Sequence, residues 1–159
     1  YKRSAAAYNE IVIQIGVSHG SAETAERKDH MEELKAGLRG EVSSLVEPQD
    51  TAQEVGSGSL KVFATPCMVA MMEGAACEAI APCLPEGQTS VGTRLDISHT
   101  SATPVGLEVR AEAVLTAVEG RKLTFQVRAF DEKGEIGQGT HERVLVAEQK
   151  FLDKTYEKL

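Results

Sequence analysis

A long apolar run, ATPCMVAMMEGAACEAIAP, stands out in the chain because Glu73 is its only charged residue before Glu78. Thr65 is a good N-cap residue, and Pro66 suits the first helical position, whose N–H has no helical partner. Pro82 would end the helix. Met, Val, Ala and Cys lie on every side of this segment, so the pattern predicts a buried helix about 24 Å long.

Most of the remaining chain alternates between polar and apolar residues. This pattern predicts a short strand before the helix, at 41–46, and a loop at 51–59. Four longer strands are predicted after the helix, at 88–101, 106–118, 122–130 and 136–149. In the first of these, alternation places on one face Val91, Thr93, Leu95, Ile97 and His99.

The order of these elements predicts an α+β fold with an antiparallel five-stranded sheet wrapped around one long buried helix, which is the hotdog fold. We assign residues 31–159 to this domain. The polar segment 1–30 is interpreted as an N-terminal extension or leader that the fold does not need. One sheet around one helix leaves an open edge and an apolar face, so a homodimer is the expected minimum unit.

Composition narrows the function classes. The 159 residues are 42% hydrophobic and 26% charged, as in an ordinary soluble domain. A net charge of −7 without a basic run, and only 4% aromatic residues, argue against nucleic-acid binding. No segment is apolar and long enough to span a membrane. Three cysteines without metal-ligand spacing suggest buried thiols, no metal site and a cytoplasmic location.

Glu73 is the first candidate for chemistry, because an ionised carboxylate in apolar surroundings is costly unless it is paired or reactive. It could be a structural acid satisfied by a histidine or an amide, or it could attack a carbonyl carbon or activate water. Thr65 could simply cap the helix. At a helix N terminus it could also help the free amides to bind a carbonyl oxygen.

Two further residues have both an ordinary and a functional interpretation. A lone histidine on an apolar strand face, such as His99, is more often a core residue than a catalyst, although it could act as a proton donor or relay. Arg143 shares a strand face with apolar residues. It could extend its charge to solvent or contact a ligand.

Four segments together resemble one known family. They are VFATPCMVAMMEGAACEAIAPCLPEGQTSVGT, ISHTSATPVGLEV, VEGRKLTF and GEIGQGTHERVLV. In order and with few gaps, over about residues 60–152, they are similar to the fluoroacetyl-CoA thioesterase family of hotdog-fold acyl-CoA thioesterases. The resemblance implies an enzyme that hydrolyses a small acyl-CoA, with coenzyme A as part of the substrate and no cofactor.

The resemblance also implies site residues. The family's catalytic threonine, glutamate and histidine correspond to Thr65, Glu73 and His99, and its substrate-contacting glycine and arginine correspond to Gly92 and Arg143, with His99 also facing the substrate. The aromatic lid residue that precedes the helix in the fluoroacetyl-specific enzyme is replaced here by Ser59. Thioester hydrolysis is therefore implied, but selectivity for a fluorinated acyl group is not.

Two alternatives to hydrolysis stay open. A hotdog module could bind an acyl-CoA without cleaving it. A hydratase on this fold would need an Asp–His pair close in sequence, and none is apparent. Helix geometry adds a constraint on the site, because eight residues rise about 12 Å. Thr65 and Glu73 of one regular helix therefore cannot hold the same atom, which favours a site shared between the subunits of a dimer.

Overall fold

The sheet of the computed structural model has five antiparallel strands, and the structure describes residues 32–159. The strands follow the order β1-β3-β4-β5-β2 across the sheet. Their bounds are β1 (Arg39–Leu45), β2 (Gln88–His99), β3 (Glu108–Glu119), β4 (Lys122–Asp131) and β5 (Gly134–Ala147). The predicted five-stranded antiparallel sheet is confirmed, and each strand lies within about two residues of its predicted bounds. The predicted N-terminal extension, residues 1–30, lies outside the described residues.

Three α-helices accompany the sheet in the described part of the chain. They are α1 (Ala52–Val55), α2 (Thr65–Ile80) and α3 (Glu148–Tyr156). The predicted buried helix is α2, and a 3₁₀ turn at Ala81–Cys83 follows it. Helix α1 falls within the segment predicted to be a loop, where Thr51 caps it by accepting a hydrogen bond from the Glu54 amide.

The start of α2 differs from the prediction by one residue. Its N-cap is Ala64, so Thr65 is the first helical residue and Pro66 the second. The prediction that Thr65 caps the helix with its side chain is therefore wrong. The hydroxyl is used elsewhere, because it hydrogen-bonds to a histidine on β2.

Helix α2 packs on the sheet mainly over β1 and β3. The buried face of the helix consists of Met68, Met72, Ala75, Ala76, Ala79 and Ile80. Gly40 on β1 allows this close approach, because a Cβ there would overlap the backbone of Ala75 and Ala79. The helix is thereby fixed in height and rotation over the sheet, which fixes the positions of its polar side chains.

A β-bulge interrupts the edge strand β2. The pairing with β5 shifts between Gly92 and Arg94, which leaves Thr93 as an extra residue. Before the bulge, Gly92 lies opposite Arg143, whose side chain is buried. Directly opposed residues share a face, so Gly92 points inward and its neighbour Val91 does not. The prediction that Val91 shares the inward face of Leu95, Ile97 and His99 is therefore wrong.

Candidate functional site

The N terminus of α2 meets the end of β2 at a threonine–histidine pair. Thr65 Oγ1 lies 2.8 Å from His99 Nδ1. The N-cap Ala64 supplies no side-chain hydrogen bond to the first turn. Backbone amides at an uncapped helix start are donors for an oxygen or an anion. The threonine hydroxyl, the imidazole and the helix start therefore lie close together.

A cavity opens beside this pair. Its volume is about 290 Å³. Thr65 and His99 line it together with apolar groups from Val62 and Phe63, and Ser57 contributes from the preceding loop. A volume of this order is at the small end for ligand pockets. Ser59, which stands where the resemblance placed an aromatic lid, is exposed in the same loop.

His99 is a half-buried imidazole with one nitrogen free. Burial lowers its pKa, and a backbone contact with Ser101 works in the opposite direction. The ring of Phe63 packs edge-on against it, with the ring centroids 6.5 Å apart. Among the described residues Nε2 has no hydrogen-bond partner although it is buried. The imidazole is therefore neutral at neutral pH, and its Nδ1 can exchange a proton with the Thr65 hydroxyl.

Glu73 lies further along α2, against a second polar cluster. Its Oε1 is 3.7 Å from His141 Nε2 and 3.8 Å from Arg143 Nη1. The backbone of Gly92 borders the same oxygen so closely that a Cβ there would collide with it. The side chain is 38% exposed. The carboxylate is thus paired with a cation and still open to a ligand.

Arg143 is held in place by the strands beneath Glu73. Its Nε donates to Ser90 Oγ and its Nη2 to the Ser90 carbonyl, both at 2.8 Å. A third donor, Nη1, lies 3.1 Å from His141 Nε2. Only 6% of Arg143 is exposed. Of the two interpretations of Arg143, extension of its charge to solvent is wrong, whereas contact with a ligand stays a prediction.

Sequence reasoning missed His141 and Ser90. Both are buried polar residues in the cluster around Arg143. The alternation of His141, Arg143 and Leu145 on β5 already placed all three on one face, and it could have suggested a buried polar pair. Ser90 offered no such signal. The bulge reverses the faces of the residues before it, and only for this reason does the Ser90 side chain share a face with Arg143.

The structure joins the predicted site residues in two groups rather than one. It brings Thr65 to His99, and it brings Glu73 to Gly92 and Arg143. Glu73 does not line the cavity beside Thr65. Eight residues of regular helix separate these two side chains by about 12 Å of rise. The catalytic and substrate-binding roles of the five residues stay predictions.

The described residues contain three free cysteines, Cys67, Cys77 and Cys83. Burial, with a smaller contribution from Asp50, raises the pKa of Cys67 to about 11, so this thiol is a poor nucleophile at neutral pH. Within residues 32–159 no three His, Cys, Asp or Glu side chains are arranged to bind a metal ion. No helix in that range is both long and apolar enough to cross a membrane.

Comparison with known proteins places these features in a family. The family model described as fluoroacetyl-CoA-specific thioesterase matches residues 46–149. A fluoroacetyl-CoA thioesterase from Streptantibioticus cattleyicolor is 48% identical over 98 residues, which are 62% of this chain and 70% of that protein.

Solved structures agree with this match. A structure of the fluoroacetyl-CoA thioesterase FlK superposes with a TM-score of 0.76 at 39% identity, covering 80% of this chain and 99% of that one. A Thermus thermophilus thioesterase superfamily member superposes with a TM-score of 0.69 at 28% identity, covering 82% and 99%. The predicted hotdog fold is confirmed, and the chain belongs to the family of fluoroacetyl-CoA-specific thioesterases.

Proposed function

We propose that this protein hydrolyses the thioester bond of a small acyl-CoA, giving the free acid and coenzyme A. The observation that carries the proposal is the Thr65–His99 pair, 2.8 Å apart at an uncapped helix start beside a cavity of about 290 Å³. The family match supports the same chemistry, because the similar proteins are named as thioesterases.

The helix start would bind the thioester carbonyl. As water or a carboxylate oxygen adds to the carbonyl carbon, negative charge develops on the carbonyl oxygen. First-turn amides of α2 and the Thr65 hydroxyl are donors of the kind that stabilise such an oxyanion. The carbon–sulfur bond then breaks, and the departing thiolate takes a proton that His99 can relay.

Glu73 would supply the nucleophile. Its carboxylate could remove a proton from the attacking water, or attack the carbonyl carbon itself to give an anhydride that water then opens. Both routes consume one water and release the acid and the thiol. In both, the Arg143 guanidinium, 3.8 Å from Glu73 Oε1, would hold the reacting carboxylate in place.

A shared site follows from the separation of the two groups. We propose a homodimer in which Thr65 and His99 of one subunit face the partner's Glu73. Strand β2 is paired on one side only within the described residues, so its twelve residues leave an open edge. A twofold axis would bring the same surface of two subunits together and repeat the site twice.

Nothing in this chemistry calls for a metal ion. Side chains, backbone amides and water supply each step, so coenzyme A enters only as part of the substrate, and turnover should survive dialysis against EDTA. A cytoplasmic location is proposed on the three free cysteines, since free thiols are usual in reducing compartments.

The experiment is a panel of short-chain acyl-CoAs, with released thiol followed by a thiol-reactive dye. The wild-type protein should release coenzyme A from at least one of them, and Glu73→Gln should abolish release. Glu78→Gln is a matched control, because it makes the same change on an exposed position of the same helix.

Two results would count against hydrolysis. Tight binding of an acyl-CoA without release would identify a binding module instead. Release that persists unchanged in Glu73→Gln would remove this carboxylate from the reaction.

A further inference from the structure

Arg143 is a buried cation whose contacts leave it little freedom. Three of its five N–H donors are directed at Ser90 and His141. The carboxylate of Glu73 lies 3.8 Å from Nη1. A rigid guanidinium fixes where an opposed carboxylate rests, because the two charges attract strongly when they are partly withdrawn from water.

The contacts of His141 assign its protonation state. A guanidinium can only donate, so His141 Nε2, 3.1 Å from Arg143 Nη1, must be an unprotonated acceptor. On the other side of the ring, Nδ1 lies 2.9 Å from the Arg94 carbonyl oxygen, which can only accept. Nδ1 must therefore carry the proton. Both contacts require the same neutral tautomer, and burial also lowers the pKa of His141.

This tautomer excludes a direct hydrogen bond from His141 to Glu73. Nε2 has a lone pair rather than a proton, and it is 3.7 Å from the carboxylate. The ring instead acts on Glu73 through two neighbours. It contacts the guanidinium of Arg143. It also donates to the backbone carbonyl of Arg94, which directly follows the bulge, and Gly92, directly before the bulge, borders the carboxylate.

We infer that His141 is a positioning residue for hydrolysis. It sets the place of the Glu73 carboxylate by holding Arg143 and the backbone at the bulge next to Gly92. The inference rests on the proposed function, since it assigns a role within that same reaction. His141 itself is completely buried and packs beside Phe125, with ring centroids 6.2 Å apart. Because none of its surface is exposed, we do not expect it to contact a substrate directly.

Two substitutions separate this role from a merely structural one. His141→Gln keeps an oxygen that can accept from Arg143. His141→Asn shortens the side chain, which can still donate to the Arg94 carbonyl but places no acceptor next to Arg143 Nη1. Misplacing a reacting group by about 1 Å costs up to about a hundredfold in rate. His141→Asn should therefore lower kcat by about tenfold to a hundredfold with KM nearly unchanged, and His141→Gln should recover most of the loss.

Val127→Ala is the control for lost packing, because Val127 is fully buried on β4 and belongs to none of the cluster's hydrogen bonds. It should lose stability but keep kcat. The inference is overturned if His141→Asn keeps wild-type kcat, if Gln is as poor as Asn, or if Val127→Ala lowers kcat equally.

The tautomer gives a second measurement that needs no variant. Nitrogen-15 NMR of the wild-type imidazoles should find a neutral His141 with protonated Nδ1 and bare Nε2, and the opposite tautomer would overturn the inference. Failure of the proposed function has a different signature. In that case wild-type protein releases no coenzyme A, or Glu73→Gln still does, whatever the state of His141.

Discussion

Thr65 Oγ1 and His99 Nδ1 lie 2.8 Å apart although 34 positions separate the two residues in the chain. The contact joins the first residue of α2 to the last residue of β2. It withdraws the hydroxyl from the capping role that threonine usually has at a helix start. The first-turn amides are left for a ligand, and the hydroxyl gains a partner that can exchange a proton with it.

Removing the Thr65 hydroxyl should affect rate far more than stability. Thr65→Val keeps the shape but loses the contact to His99, so kcat/KM for the best acyl-CoA should fall by about a hundredfold or more. Because Thr65 is not the N-cap, the free energy of unfolding should stay within about 0.5 kcal/mol of wild type. Thr65→Ser is the control and should keep most of the activity. A decrease of about 1 kcal/mol in the free energy of unfolding, as expected for a lost N-cap, with unchanged kcat/KM would contradict this assignment.

The stability of the protein should fall as the pH falls below about 6.5. Burial lowers the pKa of both His99 and His141, so the folded state binds fewer protons than the unfolded state between the folded-state and ordinary pKa values. The stabilisation is complete above the ordinary pKa and is lost as the pH falls through the folded one. Each histidine contributes a slope of up to about 1.4 kcal/mol per pH unit in that window.

Urea denaturation at a series of pH values from 7.5 down to 5.5 measures this slope. His141→Gln should make it shallower, since one of the two titrating groups is gone. The raised pKa of Asp50 acts in the opposite direction, but from its ordinary value of 3.8 upward, so its effect belongs mainly at lower pH. A stability that is flat or rising over this range would show that these imidazoles are not held neutral by the fold.

Adding a single methyl group at Gly92 should displace the Glu73 carboxylate. A Cβ there would collide with Glu73 Oε1 and would lie 3.1 Å from His141 Cε1. The carboxylate is the end of a flexible side chain, so it can move away, and we expect Gly92→Ala to fold. The loss should appear in kcat, by about tenfold to a hundredfold.

Gly74→Ala is the matched control, because Gly74 is next to Glu73 on α2. The nearest atom to its added Cβ would be a methyl carbon of Val42 at 3.8 Å, an ordinary contact. Alanine favours a helix over glycine by up to about 1 kcal/mol, so this variant should be more stable and equally active. If both variants keep wild-type kcat, the position of the carboxylate against Gly92 is unimportant for turnover.

The kcat/KM values for acetyl-CoA and fluoroacetyl-CoA should differ by no more than about tenfold. The exposed Ser59 and the glycine- and serine-rich loop around it offer no aromatic ring to pack over the acyl group. A difference of one small substituent without such packing gives discrimination near the lower end of the usual range, about tenfold. The ratio of the two kcat/KM values measures this. A ratio of thousands would show that another part of the site recognises fluorine.

The fold was predictable because its main signals are local. The apolar sequence between Thr65 and Pro82 has no polar face, and tight turns separate strands of clear alternation, as at Gly120, where φ is +62°. Each helix or strand can therefore be recognised from a short stretch of sequence. The antiparallel order then follows from the short connections.

Parts of the site were not predictable because they depend on contacts between distant residues. The extra residue Thr93 leaves the polar pattern of β2 intact but reverses the face of everything before it. Thr65 has a capping sequence, yet its hydroxyl bonds to His99 instead. The importance of His141 arises only when Arg143 and the Arg94 carbonyl are placed on either side of its ring.

A mixing experiment tests whether the two groups form one site across a dimer. Thr65→Ala and Glu73→Ala homodimers should each be nearly inactive. In a shared site, a heterodimer of the two variants has one site with both substitutions and one with neither. Equal mixing makes half of the dimers mixed, so activity should return to about a quarter of the wild-type value. If each site lies within one subunit, every site carries a substitution and no activity returns. Purified heterodimers, selected with two different affinity tags, sharpen the comparison, because the shared site predicts about half of the wild-type turnover per dimer.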